Sequence, residues 1–255
     1  WCLLFHFILC TFIFNWYSYL LTMTKKSYPS NLAIIPARGG SKRLKNKNKL
    51  LLFGKPLVRH TVQAALMSNK ITDVLVSSDS DDILDIACLE ENIIRHKRDD
   101  SLATDTSTAL ELVNNIVENS SKEYDFITLM LPTCPLRTHQ HIDTAFDLIS
   151  GEDDGVISVT TYNFPIELKV TTDGEYIKLS DDSPLITGNT RSQNYQPALR
   201  PNGGFYIARW NSFVKNKNFW KGRVKYFIMN NADSVDIDTE TDLQHAEILL
   251  RNKNK

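Results

Sequence analysis

From residue 32 onward the chain alternates short apolar runs with longer stretches in which apolar residues recur every three or four positions. Residues 32–36 (LAIIP), 73–77 (DVLVS), 125–131 (DFITLML) and 155–160 (GVISVT) are short, and rich in apolar and β-branched residues. They predict buried strands. Between them, residues 56–67 place Leu57, Val62, Ala65 and Leu66 at helical spacing, and 81–89 do so with Ile83, Leu84, Ile86 and Ala87. Further helices are predicted over 106–117, capped by Asp105 or Thr106, and over about 139–149. Strands alternating with helices make parallel βαβ units, so the pattern predicts an α/β fold on a doubly wound sheet. Ligands of such sheets sit beyond the carboxyl ends of the strands. The loops after Pro36, Ser77 and Leu131 should then share one rim.

Residues 161–200 break the rhythm. IELKVTTDGEYIKL predicts a hairpin turning at Asp173 and Gly174. The polar, proline-bearing SDDSPLITGNTRSQNYQPALRP that follows reads as an excursion from the main domain. Strands resume at 204–208 (GFYIA) and 224–229, and a helix over about 240–250 closes the pattern. Residues 1–22 (WCLLFHFILCTFIFNWYSYLLT) stand apart, with no acidic or basic side chain besides neutral His6. That length can cross a bilayer, which takes about 20 residues, but there is no basic start or small-residue cleavage site of a signal peptide. An ordinary soluble start, MTKKSYPS, begins at Met23. Residues 1–31 are therefore expected to lie outside the fold, as upstream translation in preference to a membrane anchor. A membrane partner is expected only if 1–22 are native.

Composition narrows the function. The 29 Lys+Arg and 30 Asp+Glu leave a formal charge of −1, which excludes a protein that coats nucleic acid. Any basic cluster must act locally. The four cysteines show no CxxC and no metal spacing, so a reduced, cytoplasmic domain is expected.

One such cluster follows the first strand: AIIPARGGSKRLKNKN carries Arg38, Gly39, Gly40, Ser41, Lys42, Arg43, Lys45, Lys47 and Asn48. Glycines let backbone N–H groups approach phosphate oxygens, while Arg supplies a fork and Lys a point charge to the same oxygens. The loop is neither a Walker loop nor GxGxxG. It is an anion site or a solvated basic loop, and its position at a strand end favours the anion. A second constellation is SVDIDTETD, residues 234–242. In extended backbone Asp236 and Asp238 share a side while Val235 and Ile237 face the core. Two adjacent carboxylates raise each other's pKa unless a cation intervenes, and Mg2+ takes such oxygens together with phosphates. Alternatively, Asp238 or Thr239 caps the last helix. Asp79 in VSSDSDDI is a strand-end ligand or a helix cap, and Arg137 in LPTCPLRT binds an anion or closes its turn. Cys134 has no histidine nearby in sequence, and no nucleophile is assigned to it.

The segments IIPARGGSKRLKNKN, GKPL, VSSDSDDI, LATDTSTA, PTCPLRT, RPNGGFYI and SVDIDTETDL occur in this order over about residues 32–250. In that combination the chain resembles the acylneuraminate cytidylyltransferases, the CMP-sialic acid synthetases. The resemblance implies a Rossmann-like nucleotidyltransferase domain over residues 32–251, three-layered with a mostly parallel sheet, and an inserted dimerisation segment at about 161–200. It implies CTP over the glycine loop, held by Arg38, Gly39, Ser41, Lys42, Lys47 and Asn48, with Arg98, Asp105 and Ser107 also contacting the nucleotide. Asp236 and Asp238 match the family's Mg2+ carboxylates, and Arg191 and Arg200 fall where the family faces the sugar acid and leaving group. Arg38, Lys47, Arg191 and Asp236 are the implied catalytic residues.

The implied reaction is attack of a sugar acid's anomeric hydroxyl on the α-phosphorus of CTP, with release of pyrophosphate by a homodimer. One motif departs from the pattern. The family commonly has QPTSPLR where this chain has LPTCPLR, so Leu131 replaces a glutamine on the sugar side and Cys134 a serine. The nucleotide reading stands, but the acceptor is opened to a legionaminate- or pseudaminate-like acid or an eight-carbon 3-deoxy acid. The rival readings are a related nucleotidyltransferase acting on 3-deoxy-octulosonate or a sugar phosphate, and a non-catalytic nucleotide-binding scaffold.

Overall fold

A computed structural model of the protein describes residues 29–253. Residues 1–28 of the expected leader lie outside the described residues, but its boundary at 31 is corrected, since Asn31 is buried and opens the first strand. In chain order the strands are β1 (Asn31–Pro36), β2 (Leu51–Leu52), β3 (Lys55–Pro56), β4 (Asp73–Ser78), β5 (Ile93–Lys97), β6 (Phe126–Leu129), β7 (Gly155–Thr161), β8 (Thr171–Asp173), β9 (Tyr176–Lys178), β10 (Leu199–Arg209) and β11 (Val224–Ile228). The helices are α1 (Leu57–Met67), α2 (Asp81–Ala87), α3 (Ala109–Glu118), α4 (His139–Phe146), α5 (Pro184–Thr187), α6 (Trp210–Asn216) and α7 (Glu240–Lys253).

Seven strands form one sheet in the order β11-β7-β10-β6-β1-β4-β5. Side chains of β1 alternate between its two faces, and both faces are covered. Ala33 and Ile35 pack with Val62 of α1, Ile83 of α2 and Ile142 of α4, whereas Leu32 and Ile34 pack with Leu112 of α3 and Phe213 of α6. That two-sided burial is why the first run is apolar throughout and not alternating. The result is the expected three-layer, Rossmann-like arrangement.

Three features differ from the sequence reading. Strand β10 runs antiparallel to both β6 and β7. The chain leaves the sheet at Thr161 and re-enters at Leu199, which pairs with Thr161, so the strand must run back. Strand β5 escaped notice because only Ile93 of IIRHK is buried, as suits an edge strand carrying charge. Helix α3 begins at Ala109, not Thr106. Thr108 and Glu111 close a reciprocal capping box, Glu111 N–H donating to Thr108 Oγ1 at 3.1 Å, and Asp105 is left free for another task.

A third apolar cluster joins Val235, Ile237, Leu243 and Ala246 to Leu52, Leu57 and Leu136. It ties the chain before α7 to the β2–β3 hairpin and so to the sheet's carboxyl rim. The excursion carries the predicted hairpin, β8 paired with β9, and a turn of helix, α5. Tyr176 and Ile177 on it are 78% and 68% exposed. Among the described residues no helix is long and apolar enough to cross a membrane.

Candidate active site

The central strand β1 lies between β4 and β6, so the chain departs to opposite sides of it and leaves an opening at the carboxyl rim. The glycine loop runs into that opening. Its path is pinned from below: Gly39 N–H donates to Asp79 Oδ1 at 2.7 Å, and the buried Asn48 donates through Nδ2 to Arg38 O at 2.9 Å. A Cβ on Gly39 would meet Ser80 Cβ at 3.2 Å, so the close passage suits glycine. Asp79 is thus an anchor of the loop; no side-chain cap forms at the start of α2.

A cleft of about 510 Å3 opens above this loop. Arg38, Ser41, Lys42, Lys47 and Asn48 line it from the loop, Arg98, Asp105 and Ser107 from the approach to α3, and Leu131 from the end of β6. Motifs far apart in sequence therefore meet at one place. Asp105 accepts from Lys42 Nζ at 2.6 Å and lies 3.4 Å from Arg38 NH1, and Lys42 holds its carboxyl below the usual range. Arg98 is buried, with NH2 donating to Ser77 O at 2.9 Å, and burial lowers its pKa.

Of the two carboxylates, Asp238 reaches the same loop. Lys47 Nζ donates to Asp238 Oδ1 at 2.7 Å and to Ile237 O at 3.0 Å, and Arg43 NH1 stands 2.9 Å from Asp238 Oδ2. Val235 and Ile237 are buried on the other side, as the alternation predicts. The helix cap falls to Thr239, whose hydroxyl and N–H bond Asp242, leaving the Asp238 carboxylate unencumbered by capping. The Asp236 side chain is exposed in outline, yet its carboxyl sits in a recess. Desolvation there raises its pKa, opposed by a hydrogen bond from Thr133 and reinforced by Asp238.

Arg200 and Asp236 line a separate cavity of about 390 Å3, with Asn163, Asn231, Asp242 and His245. Arg191 lines neither cavity; it stands exposed on the excursion, before a short turn at Ser192–Asn194. Arg137 closes its turn. It is 2% exposed and donates to Gly204 O, Cys134 O, Leu131 O and Thr61 Oγ1. Cys134 is buried with its thiol pushed up to about 11 by desolvation, in keeping with a packing role. Sequence reasoning missed Thr133, the hydroxyl beside Asp236, and Arg43 as a partner of Asp238. A Thr in the turn that follows β6 on the ligand rim was the signal for the first.

A family model described as Cytidylyltransferase matches residues 32–254. The chain belongs to the cytidylyltransferase family. Among relatives of this cytidylyltransferase, the CMP-N,N'-diacetyllegionaminic acid synthase of Legionella pneumophila is 34% identical over 86% of this chain and 95% of its own length. An N-acylneuraminate cytidylyltransferase of Streptococcus agalactiae is 33% identical over 84% of the chain, which spans only 52% of that longer protein. A pseudaminic acid cytidylyltransferase of Campylobacter jejuni is 28% identical over 87% of the chain. Among solved structures, a CMP:2-keto-3-deoxy-manno-octonic acid synthetase complexed with CTP superposes with a TM-score of 0.62 at 15% identity, covering 88% of this chain and 99% of that one. That likeness is one of fold. As a member of its family the chain is a nucleotidyltransferase, so the scaffold reading is set aside.

Asp236 and Asp238 bring oxygen donors of the kind Mg2+ takes, although Asp238 is already paired with Lys47 and Arg43. Among the described residues no group of three or more His, Cys, Asp and Glu gathers as a protein-made cage. One or two carboxylates completed by phosphate oxygens and water are a donor set this hard cation takes. The raised pKa of Asp236 comes first from desolvation in its recess, and the neighbouring Asp238 adds to it.

Proposed function

We propose that the chain transfers CMP from CTP to the anomeric hydroxyl of a nine-carbon sugar acid of the legionaminic or sialic type, releasing pyrophosphate. The observation that carries this reading is the Lys47 Nζ–Asp238 Oδ1 bond, which couples the basic loop to the carboxylate pair across 191 residues of sequence. The legionaminic acid relative supports the acceptor class, because the match extends over 95% of its length.

In this reading Arg38, Lys42 and Lys47 hold the triphosphate and the hydroxyl of Ser41 approaches its oxygens, while Gly39, whose N–H is taken by Asp79, acts by letting the loop pass close and not as a donor to phosphate. Asn48, Arg98, Asp105 and Ser107 fix the nucleoside end. Asp236 and Asp238 would hold Mg2+, which when bound there neutralises charge on the phosphate oxygens. Arg200 meets the acceptor's carboxylate with its planar fork. Positioning the hydroxyl in line with the α-phosphorus and stabilising the leaving pyrophosphate account for the catalysis, and no covalent intermediate on the protein is required. The role of Arg191 is assigned to the sugar side through the family resemblance alone. CTP as donor and the free thiols Cys88 and Cys134 support a cytoplasmic setting. The exposed apolar side chains of the excursion support a homodimer.

An acceptor panel tests the proposal: N,N'-diacetyllegionaminic, N-acetylneuraminic, pseudaminic and 3-deoxy-octulosonic acids, each with CTP, followed by pyrophosphate release with and without Mg2+. Release that requires Mg2+ and a nine-carbon acid is expected, and Asp236→Asn or Asp238→Asn should lower it at least a hundredfold, about 2.7 kcal/mol of transition-state stabilisation. Turnover of the eight-carbon acid alone would overturn the acceptor assignment.

A further inference from the structure

Behind the nucleotide cleft, Arg98 is held by a partner that is itself held. Its Nε donates to Ser77 Oγ at 3.2 Å and its NH2 to Ser77 O at 2.9 Å. On the far side of the same hydroxyl lies His96 Nδ1, at 2.9 Å. Ser77 is fully buried, and it pairs with His96 across β4 and β5. A guanidinium can only donate, so Arg98 occupies an acceptor site on Ser77 Oγ, and the one hydroxyl proton is free to point at Nδ1. The chain of bonds runs Arg98 Nε–H to Ser77 Oγ–H to His96 Nδ1. It requires a neutral imidazole with its proton on Nε2.

We propose that His96, acting through Ser77, is a positioning residue that orients Arg98 toward the nucleotide. The inference rests on the reading of Arg98 as a nucleotide-binding residue. When His96 is protonated, Nδ1–H points at Ser77 Oγ, the hydroxyl proton must turn away, and a second cation faces Arg98. Both changes loosen Arg98. Burial, and Arg98 after it, lower the pKa of His96 and keep it neutral near pH 7. Its outer side faces a cavity of about 430 Å3, which gives protons access. The charged groups in that cavity are Asp73 of β4 and Lys122 of the segment before β6, and they pair with each other at 3.0 Å. Tyr124, from the same segment, is a phenol that is un-ionised near neutrality in any case, and burial raises its pKa further. Helix α3 contributes Asn115 and Ile116 and the residue after it, Asn119, none of them charged. None of these supplies His96 with an unpaired counter-charge.

The test is the Kd for CTP in the presence of Mg2+, measured by calorimetry on the full chain between pH 5.5 and 8. Ser77→Ala and His96→Phe should weaken binding about three- to tenfold at pH 7.5, the size of one hydrogen bond. His96→Asn, whose Oδ1 can stand where Nδ1 stood, should restore affinity to within about twofold. The wild type should lose more affinity on acidification than His96→Asn does, because titration of CTP itself is common to both. Arg98→Met run alongside separates the two levels. If it leaves the Kd unchanged, the assignment of Arg98 to the nucleotide is overturned and this inference with it. If Arg98→Met weakens binding while His96→Phe does not, or if His96→Asn follows the wild-type pH profile, the positioning role is overturned. Should Ser77→Ala fail to fold, the His96→Phe and His96→Asn pair still decides.

Discussion

At the scale of single residues the site is a set of charges that hold one another in place. Asp105 gathers Arg38 and Lys42, and Asp238 gathers Lys47 and Arg43, so the loop's cations are fixed at the cleft instead of ranging through solvent. Such pairing is how a flexible basic loop becomes a preorganised anion site. Leu131, which the family resemblance puts on the sugar side, lines the cleft wall. It packs against Gly203, where φ is +71° and a Cβ would meet Leu131 Cδ1 at 3.3 Å. Leu131→Gln adds an amide on the cleft wall, worth about 0.5–1.5 kcal/mol per hydrogen bond gained. A severalfold change in the ratio of kcat/KM between two sugar acids is expected, with the Kd for CTP nearly unchanged; weaker CTP binding with an unaltered ranking of acceptors would place this side chain on the nucleotide. The basic loop was legible because its side chains follow a strand end, where the fold class says ligands bind, whereas Arg98, Asp105, Ser107, Arg191 and Arg200 were named only through the family resemblance. Thr133 and the Ser77–His96 contact were not legible, because their roles depend on which neighbour a hydroxyl faces, a fact that periodicity does not carry.

At the scale of elements the fold rests on strands buried on both faces and on one turn pinned by a buried cation. Arg137 is surrounded by carbonyl oxygens, and desolvation lowers its pKa to about 10, still high enough to keep it charged. Arg137→Met keeps much of the volume but leaves the carbonyls of Gly204, Cys134 and Leu131 without their donor. A loss of about 3 kcal/mol or more in unfolding free energy is expected, read as a lower urea midpoint with unchanged m-value. A midpoint shift equivalent to under about 0.5 kcal/mol, the range of ordinary surface substitutions, would show that the turn does not depend on this guanidinium. The same physics explains which elements could be read in advance. β1, β4, β6 and β7 are apolar because helices cover both sides. β5 is an edge, α6 follows directly on a strand, and the direction of β10 is set by where the excursion returns, so none of these has a local signature.

At the scale of the whole molecule two properties follow from surface and burial. The excursion exposes Tyr176, Ile177, Phe164 and Ile186 together with the hairpin that carries the first two. Light scattering of the chain from Met23 onward should give twice the monomer mass at micromolar concentration, and Tyr176→Asp with Ile177→Asp should shift it toward the monomer. A monomer in the unsubstituted chain would contradict the homodimer. His60, His96 and His141 all have pKa values pushed below 6.5, in each case chiefly by burial. With the folded values below the unfolded one, the unfolded chain takes up protons first as pH falls through about 6.5, so stability drops. The Tm should be lower at pH 5.5 than at 7.5, and a constant Tm over that interval would show that these histidines titrate alike in both states. A further loss is expected below pH 4, where Asp153, held at about 2 chiefly by Lys225, takes up its proton in the unfolded chain first. The fate of the α-phosphorus tests the central assignment most directly. CTP labelled at that atom, incubated with the protein, Mg2+ and N,N'-diacetyllegionaminic acid, should deliver its label to a CMP-sugar while the pyrophosphate released carries none. Label that stays in CTP with every nine-carbon acid, or that emerges as free CMP with no sugar attached, would contradict a cleft built to pass CMP to a sugar acid.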